Sequence, residues 1–309
     1  MFNEINKKMN VIKSVFSIKD LENLSGIKAH TIRIWEKRYN ILEPMRTDTN
    51  IRNYDLTNLQ KLLNICLLIQ HGYKISRIST FSNEKIVSMV NEISSEKNTK
   101  SHAISAFKIA MMNFDQGAFL KTYNDLLKEK KFSTVFYDVF IPLLEELGLL
   151  WQTATISPAH EHFISHLIKQ KLLTSIEKMQ QTNSEKSDRV FILYLPPNEI
   201  HELGLLYLNY EILRNGYKTI FLGSSIPTEC LLDVKKYFDN ITFVTYMTVE
   251  PNPEHVNDYI QTVNDAVLND SDSKLYILGR MTEFIDDQCL SAKIKTFQTI
   301  GDFSRELKS

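Results

Sequence analysis

The sequence predicts a multidomain chain: an all-α winged helix-turn-helix, then a four-helix bundle, then an α/β domain with a doubly wound parallel sheet. Three observations predict this order. Two short helical patterns flank a Gly-containing turn near the start, four longer helical patterns follow, and strand and helix patterns alternate from Arg189 onward. We therefore expect domains at residues 1–97, 98–183 and 184–309.

Charge is unevenly distributed along the chain. The whole sequence has a net charge of −1, but residues 1–80 carry eight Lys and five Arg against four Glu and three Asp, a net of +6. A basic first quarter favours a nucleic-acid contact confined to that part. The sequence has no apolar run of membrane-spanning length, and its three cysteines are widely spaced and form no C-x-x-C, so we expect a cytoplasmic protein that does not enter a membrane.

The predicted helix-turn-helix lies within residues 16–79. Ser17 can cap a first helix over 18–24, Ser25-Gly26 forms the turn, and a second helix spans 29–39. A second helix so placed enters the major groove of double-stranded DNA, and a turn-rich wing follows it. The predicted DNA-contacting residues are His30, Thr31, Arg33 and Lys37 in the helix and Arg46, Arg52 and Tyr54 in the wing.

This segment resembles the MerR family of winged-helix regulators. The resemblance is carried by Ile18-x-x-Leu21, Ser25-Gly26-Ile27, Thr31-Ile-Arg33-x-Trp35-Glu36-x-Arg38-Tyr39, Pro44-x-Arg46-Thr47 and Ile51-Arg52-x-Tyr54. Asn50 stands where the family usually has a wing glycine, and Asn tolerates the same left-handed turn. Arg-x-Trp-Glu-x-Arg-Tyr is most similar to the cobalamin-dependent, light-responsive repressors of the CarH/LitR type.

Four helices are predicted next, at about 101–113, 115–129, 132–149 and 158–182, with Asp115 and Ser133 as caps. Their short connections predict an antiparallel bundle. The last connection contains Trp151 and, after nine intervening residues, Glu161-His162, a pattern that resembles the bundle of the same photoreceptors. The resemblance implies that these three side chains flank the adenosyl group above the corrin. Gln152 replaces the histidine that caps cobalt after photolysis in the light-sensing relatives, so that step is not implied.

Two other interpretations of the connection stay open. Trp151 alone is commonly a core anchor. His162 and His166 are one helical turn apart, with His160 nearby, and could hold zinc. The H-E-x-x-H spacing of zinc proteases is absent, however.

The remaining chain alternates strands and helices. Strands are predicted at 190–195, 218–222, 241–246, 274–278 and 296–300, and helices at 203–214, 228–238, 254–268 and 284–292. Such βαβ units give a parallel, doubly wound sheet. The first strand is not followed by G-x-G-x-x-G, and the sequence has no P-loop, which counts against a dinucleotide or nucleoside-triphosphate site.

The stretch Pro197–Gly204 follows the first of these strands. His201 therefore lies at the carboxyl end of a strand, where open α/β sheets bind ligands. An imidazole there can ligate a metal if a carboxylate holds its second nitrogen, and Glu199 is the predicted carboxylate. Gly204 allows a bulky group to approach the backbone closely.

Glu199-x-His201-x-x-Gly204 resembles the signature of Rossmann-like cobalamin-binding domains. The resemblance implies that His201 is the lower axial ligand of the cobalt. It also implies that Thr245 and Gly279 line a pocket for the nucleotide tail of cobalamin. Tyr246 and Met247 are bulkier than the family pattern, and Arg280 replaces the second glycine of a Gly-Gly pair.

Together these features predict a transcriptional regulator, not an enzyme, that binds operator DNA. By resemblance, adenosylcobalamin drives its self-association, as a dimer or tetramer, and light resets it; linked heads bind DNA more tightly than one. A second hypothesis keeps the DNA-binding role and makes the cobalamin-like part a cofactor-independent assembly or protein-interaction module, which Arg280 and Gln152 favour. A third is a corrinoid carrier subunit of a methyltransferase, although a carrier needs no helix that reads an operator.

Overall fold

The computed structural model describes residues 15–47, 50–96, 99–153, 155–181, 186–269 and 271–308, with the side chains of all but 91–96, 99, 151–152 and 187–188. The chain divides between Ile168 and Lys169, inside one long helix, into two compact units. The predicted head and the bundle as far as Ile168 lie together in the first unit, and the rest of the last bundle helix and the parallel sheet lie in the second.

The head is built as predicted around two short helices. Ser17 and Asp20 form a capping box at the start of the first helix, and Gly26 ends it with a φ of 76°. Three short strands pair antiparallel in the order β1-β3-β2. The elements are β1 (Phe16–Ser17), α1 (Ile18–Ser25), α2 (Ala29–Tyr39), β2 (Met45–Arg46), β3 (Arg52–Tyr54), α3 (Leu56–Gln70), α4 (Ile75–Ile78) and α5 (Asn83–Glu96).

The wing consists of β2 and β3 and the turn between them. Asn50 has a φ of 63°, which is the left-handed conformation predicted for the position where relatives have glycine. The Arg46 guanidinium donates to Asn50 Oδ1 at 2.5 Å, which holds the arginine along the turn. Asp55 caps α3, because its carboxylate accepts from the Asn58 amide at 2.8 Å.

The bundle follows the head in the first unit. Its helices are α6 (Thr99–Met112), α7 (Gln116–Glu129), α8 (Phe132–Val135), α9 (Ile141–Gln152) and α10 (Pro158–Gln180). A π-helical turn at Phe136–Phe140 joins α8 to α9, so the predicted third helix is continuous but irregular. Asp115 caps α7 as predicted. The predicted Ser133 cap is wrong, because Lys131 holds the N-cap position and Ser133 lies inside α8, where it is buried.

Contacts tie α1 of the head to the bundle. Lys108 of α6 is buried; its ammonium donates to the Leu24 carbonyl at 3.3 Å and pairs with the Glu146 carboxylate of α9. Asn23 of α1 donates to Thr155 Oγ1 at 2.7 Å, in the connection between α9 and α10. The position of α1 therefore depends on side chains of the bundle.

We expect Lys108→Met to loosen α1. The change removes a charged donor from a buried carbonyl, which costs about 1–3 kcal/mol. Hydrogen exchange of the α1 amides will measure the loss as faster local opening. Lys128→Met is the matched control, since Lys128 is 74% exposed and forms a surface ion pair with Asp125 of its own helix. Equal exchange rates in α1 for the two variants would contradict the expectation.

The second unit contains a five-stranded parallel sheet in the order β5-β4-β6-β7-β8. The elements are β4 (Lys186–Tyr194), α11 (Leu203–Arg214), β5 (Tyr217–Gly223), α12 (Thr228–Lys235), β6 (Ile241–Tyr246), α13 (Val256–Val263), β7 (Lys274–Leu278), β8 (Ile294–Thr296) and α14 (Ile300–Glu306). A π-helical turn at Asn264–Leu268 extends α13.

Two predictions for the end of the chain are wrong. The predicted strand 296–300 is β8 followed by the start of α14, because Thr299 and Asp302 form a capping box that begins a helix there. The predicted helix 284–292 is instead two 3₁₀ turns, Arg280–Phe284 and Asp287–Cys289. Asn257 of α13 accepts from the Asp286 amide at 2.9 Å and holds the segment in this form.

Both faces of the sheet are covered. One apolar core joins the sheet to α12 and α13, and includes Phe243 and Met247. The other joins it to α11 and α14, and includes Val244, with Tyr246 packed against it. No described helix is long and apolar enough to cross a membrane.

Candidate cofactor site and DNA-contacting surface

The candidate site lies where the sheet changes direction. The chain runs from β4 outward to β5 and then crosses back to β6 on the other side of β4. Open α/β sheets bind ligands at the carboxyl ends of the strands that flank such a switch point. The loops that follow β4 and β6 hold His201 and residues 248–250, respectively.

The Glu199 carboxylate joins these two loops. Its Oε1 accepts from the amides of Ile200 and His201, each at 2.9 Å. Its Oε2 accepts from three successive amides of the loop after β6, at 3.0, 2.7 and 3.0 Å; these belong to Thr248, Val249 and Glu250. The side chain is fully buried. One carboxylate therefore fixes the backbone on both sides of the switch point.

The same carboxylate orients the His201 ring. His201 Nδ1 lies 2.6 Å from Glu199 Oε1, as predicted. Burial by itself raises the pKa of Glu199, but hydrogen bonds from the amides of Val249, Glu250 and His201 and from the His201 ring outweigh it and lower the pKa to about 2. An ionised carboxylate only accepts, so Nδ1 carries the proton of the neutral ring, and the lone pair lies on Nε2.

Two exposed aliphatic residues belong to the same loops as His201. The His201 side chain is 53% exposed, and Ile200 and Val249 are 67% and 49% exposed. Their own amides are the ones that Glu199 holds, so both are presented on fixed backbone. An exposed imidazole on loops that also present exposed aliphatic side chains suits a largely apolar ligand that carries a metal.

The structure places the other predicted cofactor residues of the second unit differently. Gly204 packs against the Tyr246 ring, whose nearest carbons lie 2.7 Å from where a Cβ would be. Gly279, whose own φ is 101°, packs against the Met247 backbone. Thr245 alternates with Val244 and Tyr246 along β6, so it faces the α12 and α13 side, away from Gly204. Its predicted role with Gly279 in a pocket for the nucleotide tail stays a prediction.

The predicted adenosyl-contacting residues lie in the first unit. The side chain of Trp151 falls outside the described residues. Glu161 and His162 follow each other in the first turn of α10, with His162 Nδ1 3.2 Å from Glu161 Oε2 and the His162 side chain 78% exposed. Both are thus available for contact with a ligand.

The zinc alternative gains no support from this segment. His160 is buried, stacks on Phe114 and lies 2.8 Å from Ser157 Oγ, whereas His162 is exposed. Within the described ranges, no three His, Cys, Asp or Glu side chains lie close enough to hold a metal ion.

The head presents its predicted DNA-contacting surface on α2. His30, Arg33 and Lys37 are exposed, and Thr31 is half-buried beside His30. Positions 30, 33 and 37 lie on one helical face, which is the geometry required of a helix that inserts into a groove. Arg46 is exposed on the wing.

Tyr54 is a correction to the predicted set. Its ring is fully buried, and its hydroxyl donates to Glu36 Oε1 at 3.0 Å, so it does not reach DNA from this position. Arg52 donates through Nε to Glu36 Oε2 at 3.1 Å and keeps a third of its side chain exposed. Glu36 therefore locks the wing strand β3 onto α2. Sequence reasoning missed this role; the signal was an acidic residue within an otherwise basic helix.

Two family models match the chain. Residues 16–85 match the MerR HTH family regulatory protein model, and residues 103–174 match the B12 binding domain model. The first match covers the head, and the second covers the bundle as far as α10. The chain is a MerR-type DNA-binding regulator with a B12-binding domain.

The regulator is similar in sequence to transcriptional repressors. It is 24% identical to the HTH-type transcriptional repressor CarH of Myxococcus xanthus over 70% of this chain and 73% of that protein. It is also 24% identical to the repressor CarA of the same organism, over 69% of this chain and 70% of that one. These two are transcriptional regulators, not enzymes.

A solved structure shares the fold. The monomethylamine corrinoid protein of Methanosarcina barkeri matches with a TM-score of 0.55 at 12% identity, over 68% of this chain and 98% of that chain. At this identity the likeness concerns the fold alone.

The site of the regulator fits one part of cobalamin and not another. A neutral imidazole with Nδ1 held by a carboxylate and Nε2 without a described hydrogen-bond partner fits an axial ligand to cobalt. The exposed aliphatic side chains of the same loops fit a corrin face. The space next to Gly204, however, is filled by Tyr246.

We expect Glu199→Gln to remove a pH dependence from the loops. The folded pKa of Glu199 lies below its ordinary value of 4.5, so the ionised carboxylate stabilises the folded state above about pH 4.5, and that contribution disappears as the pH falls toward 2. The contribution is about 3 kcal/mol. Hydrogen exchange of residues 248–250, corrected for intrinsic rate, will show this loss in the wild type and a flat profile in the variant. Glu254→Gln, at an exposed carboxylate of the same edge, is the control.

Proposed function

We propose that this regulator holds a cobalamin on His201 Nε2 and that the occupancy of this site controls its self-association and its binding to operator DNA. The adenosyl form is the proposed ligand: His201 would bind its cobalt, and by resemblance Trp151, Glu161 and His162 would contact its adenosyl group. The observation that carries the proposal is the Glu199–His201 pair at the switch point, 2.6 Å apart.

The residues of the site have separate tasks in this proposal. Glu199 keeps Nδ1 protonated and so directs the basic Nε2 outward, while its bonds to residues 248–250 keep the ring in place. Ile200 and Val249 exclude water from the metal-bound face. When bound, adenosylcobalamin supplies a cobalt–carbon bond that light breaks. His201 would hold the cobalt through Nε2, and Glu199 would keep that ring in place.

Self-association gives the proposal its effect on transcription. A single winged helix-turn-helix makes few base contacts and binds weakly. Two or four linked heads bind with an effective concentration set by their connection, which can raise apparent affinity by about 100- to 10,000-fold. The exposed face of His30, Arg33 and Lys37 supplies the groove contacts of each head.

A second candidate function is favoured by Tyr246. Because this ring occupies the space beside Gly204, the domain can also work without a cofactor, as an assembly or protein-interaction module. Operator binding of equal strength with and without cobalamin supports this candidate and counts against the first.

We expect His201→Ala to abolish axial coordination. The absorption spectrum of the purified full chain with adenosylcobalamin, recorded in the dark after desalting, will show bound pigment in the wild type and little in the variant. Glu199→Gln removes the partner of Nδ1 and should weaken binding by about 10- to 100-fold. His255→Ala changes an exposed histidine of the same unit and serves as control. Pigment retained equally by the His201 and His255 variants would remove the cofactor claim.

We expect Arg33→Ala and Lys37→Ala to weaken DNA binding by different amounts. A residue that contacts a base costs about 1–3 kcal/mol on the specific site, whereas a phosphate contact weakens all sequences alike and lowers the salt slope by about 1. Fluorescence anisotropy with specific and random duplexes at several salt concentrations separates the two effects. Arg305→Ala, at a cation 78% exposed in the second unit, should change neither quantity. A head that contacts DNA elsewhere would leave both α2 variants like wild type.

A further inference from the structure

The space beside Gly204 is occupied by a side chain of the regulator itself. Gly204 follows His201 by three residues, at the start of α11, and Tyr246 ends β6, two residues before Thr248. A Cβ at Gly204 would lie 2.7 Å from Cδ1 and Cε1 and 2.8 Å from Cγ of the tyrosine. No side chain except the hydrogen of glycine fits there, so the gap that Gly204 opens is filled by the Tyr246 ring.

The backbone that follows β6 is also packed against its neighbours. Met247 donates its amide to the Leu278 carbonyl at 2.8 Å and accepts at its own carbonyl from Met281 at 3.1 Å. Gly279 lies against this backbone. What remains beside Tyr246 is a cavity of about 170 Å³, lined among others by Arg280, Thr299 and Ile300. Pockets that bury a small organic ligand are commonly about 300–1,000 Å³.

This packing matters for the chemistry of the ligand. Cobalamin carries a nucleotide on the lower face of its corrin, and cobinamide is the same corrin without that nucleotide. If His201 Nε2 takes the lower position on cobalt, the nucleotide base leaves the metal, and the whole tail has to lie on the protein side, next to His201. The tail then competes with the Tyr246 ring for the space beside Gly204.

We propose that Tyr246 is a specificity-determining residue that makes the site prefer corrinoids without a nucleotide tail, such as cobinamide, over cobalamin. The inference rests on the proposed function, since it requires His201 to be the lower ligand. The corrin face and the axial bond are the same for both ligands, so the selection arises only where the tail meets the ring.

The experiment compares hydroxocobalamin with aquocobinamide on the full chain. Equilibrium dialysis in the dark gives both dissociation constants, and the visible spectrum reports coordination of the imidazole. In the wild type, cobinamide should bind at least about tenfold more tightly than cobalamin. Tyr246→Leu should strengthen cobalamin binding and leave cobinamide binding unchanged. The ratio of the cobalamin to the cobinamide dissociation constant should therefore fall. The preference that remains reflects the free energy needed to detach the nucleotide base from cobalt.

Three variants keep the result interpretable. Tyr246→Phe retains the ring and should keep the wild-type ratio, which guards against an effect of lost packing or of the hydroxyl. Tyr237→Leu changes a tyrosine 77% exposed on the surface of the same unit and should also keep it. His201→Ala should lose the spectral change with both ligands.

The outcomes separate this inference from the proposed function. A ratio that is the same in wild type, Tyr246→Phe and Tyr246→Leu, with binding still dependent on His201, overturns the selection and leaves the corrinoid site intact. Failure of both ligands to bind the wild type overturns the two together. A ratio that falls in Tyr246→Leu alone supports both.

Discussion

The second unit depends on one buried carboxylate. Glu199 accepts five backbone amides and one imidazole N–H, and these donors come from two loops that the sheet topology brings together at its switch point. An ionised group with no exposure is costly unless its charge is fully satisfied, and here it is. The position and tautomer of His201 and the backbone positions of Ile200 and Val249 follow from this one group.

The head uses a carboxylate in the same way. Glu36 is 8% exposed and receives a hydroxyl and a guanidinium from the wing strand. A surface that reads DNA needs its helix and wing at a set angle, because both have to meet the duplex at once. In both units, then, a charged acceptor sets the geometry of the residues predicted to contact a ligand.

Sequence patterns predicted most of the fold and the central pair of the site. Helix caps, periodicity and the position of His201 after a strand follow local rules that Ser17, Asp115 and Asn50 obey in the structure. The failures are tertiary or concern competing local signals. The position of Tyr54 in the wing predicted an exposed side chain, and only the structure shows its hydrogen bond to Glu36. Thr299 begins a helix where β-branched residues suggested a strand.

The face of the sheet on which a strand side chain lies was the hardest feature to predict. Along β6, a shift of one residue exchanges the two faces of the sheet, so a hydroxyl at Thr245 and a ring at Tyr246 have opposite consequences for the space next to α11. The motif alone does not say which of the two faces Gly204. The packing of Tyr246 on Gly204 does, and it turns an expected pocket into a filled one.

The free energy of the contacts between α1 and the bundle is comparable to the coupling free energy of regulated proteins. Asn23 bonds to Thr155, which lies between Trp151 and Glu161 in the sequence, and Lys108 bonds to the last turn of α1. Each such bond contributes about 1 kcal/mol, or about 1.5–3 when one partner is charged. Coupling free energies between sites are typically about 1–3 kcal/mol. The contacts that α1 makes with Thr155 and Lys108 therefore contribute a free energy of the same size as a typical coupling free energy between sites.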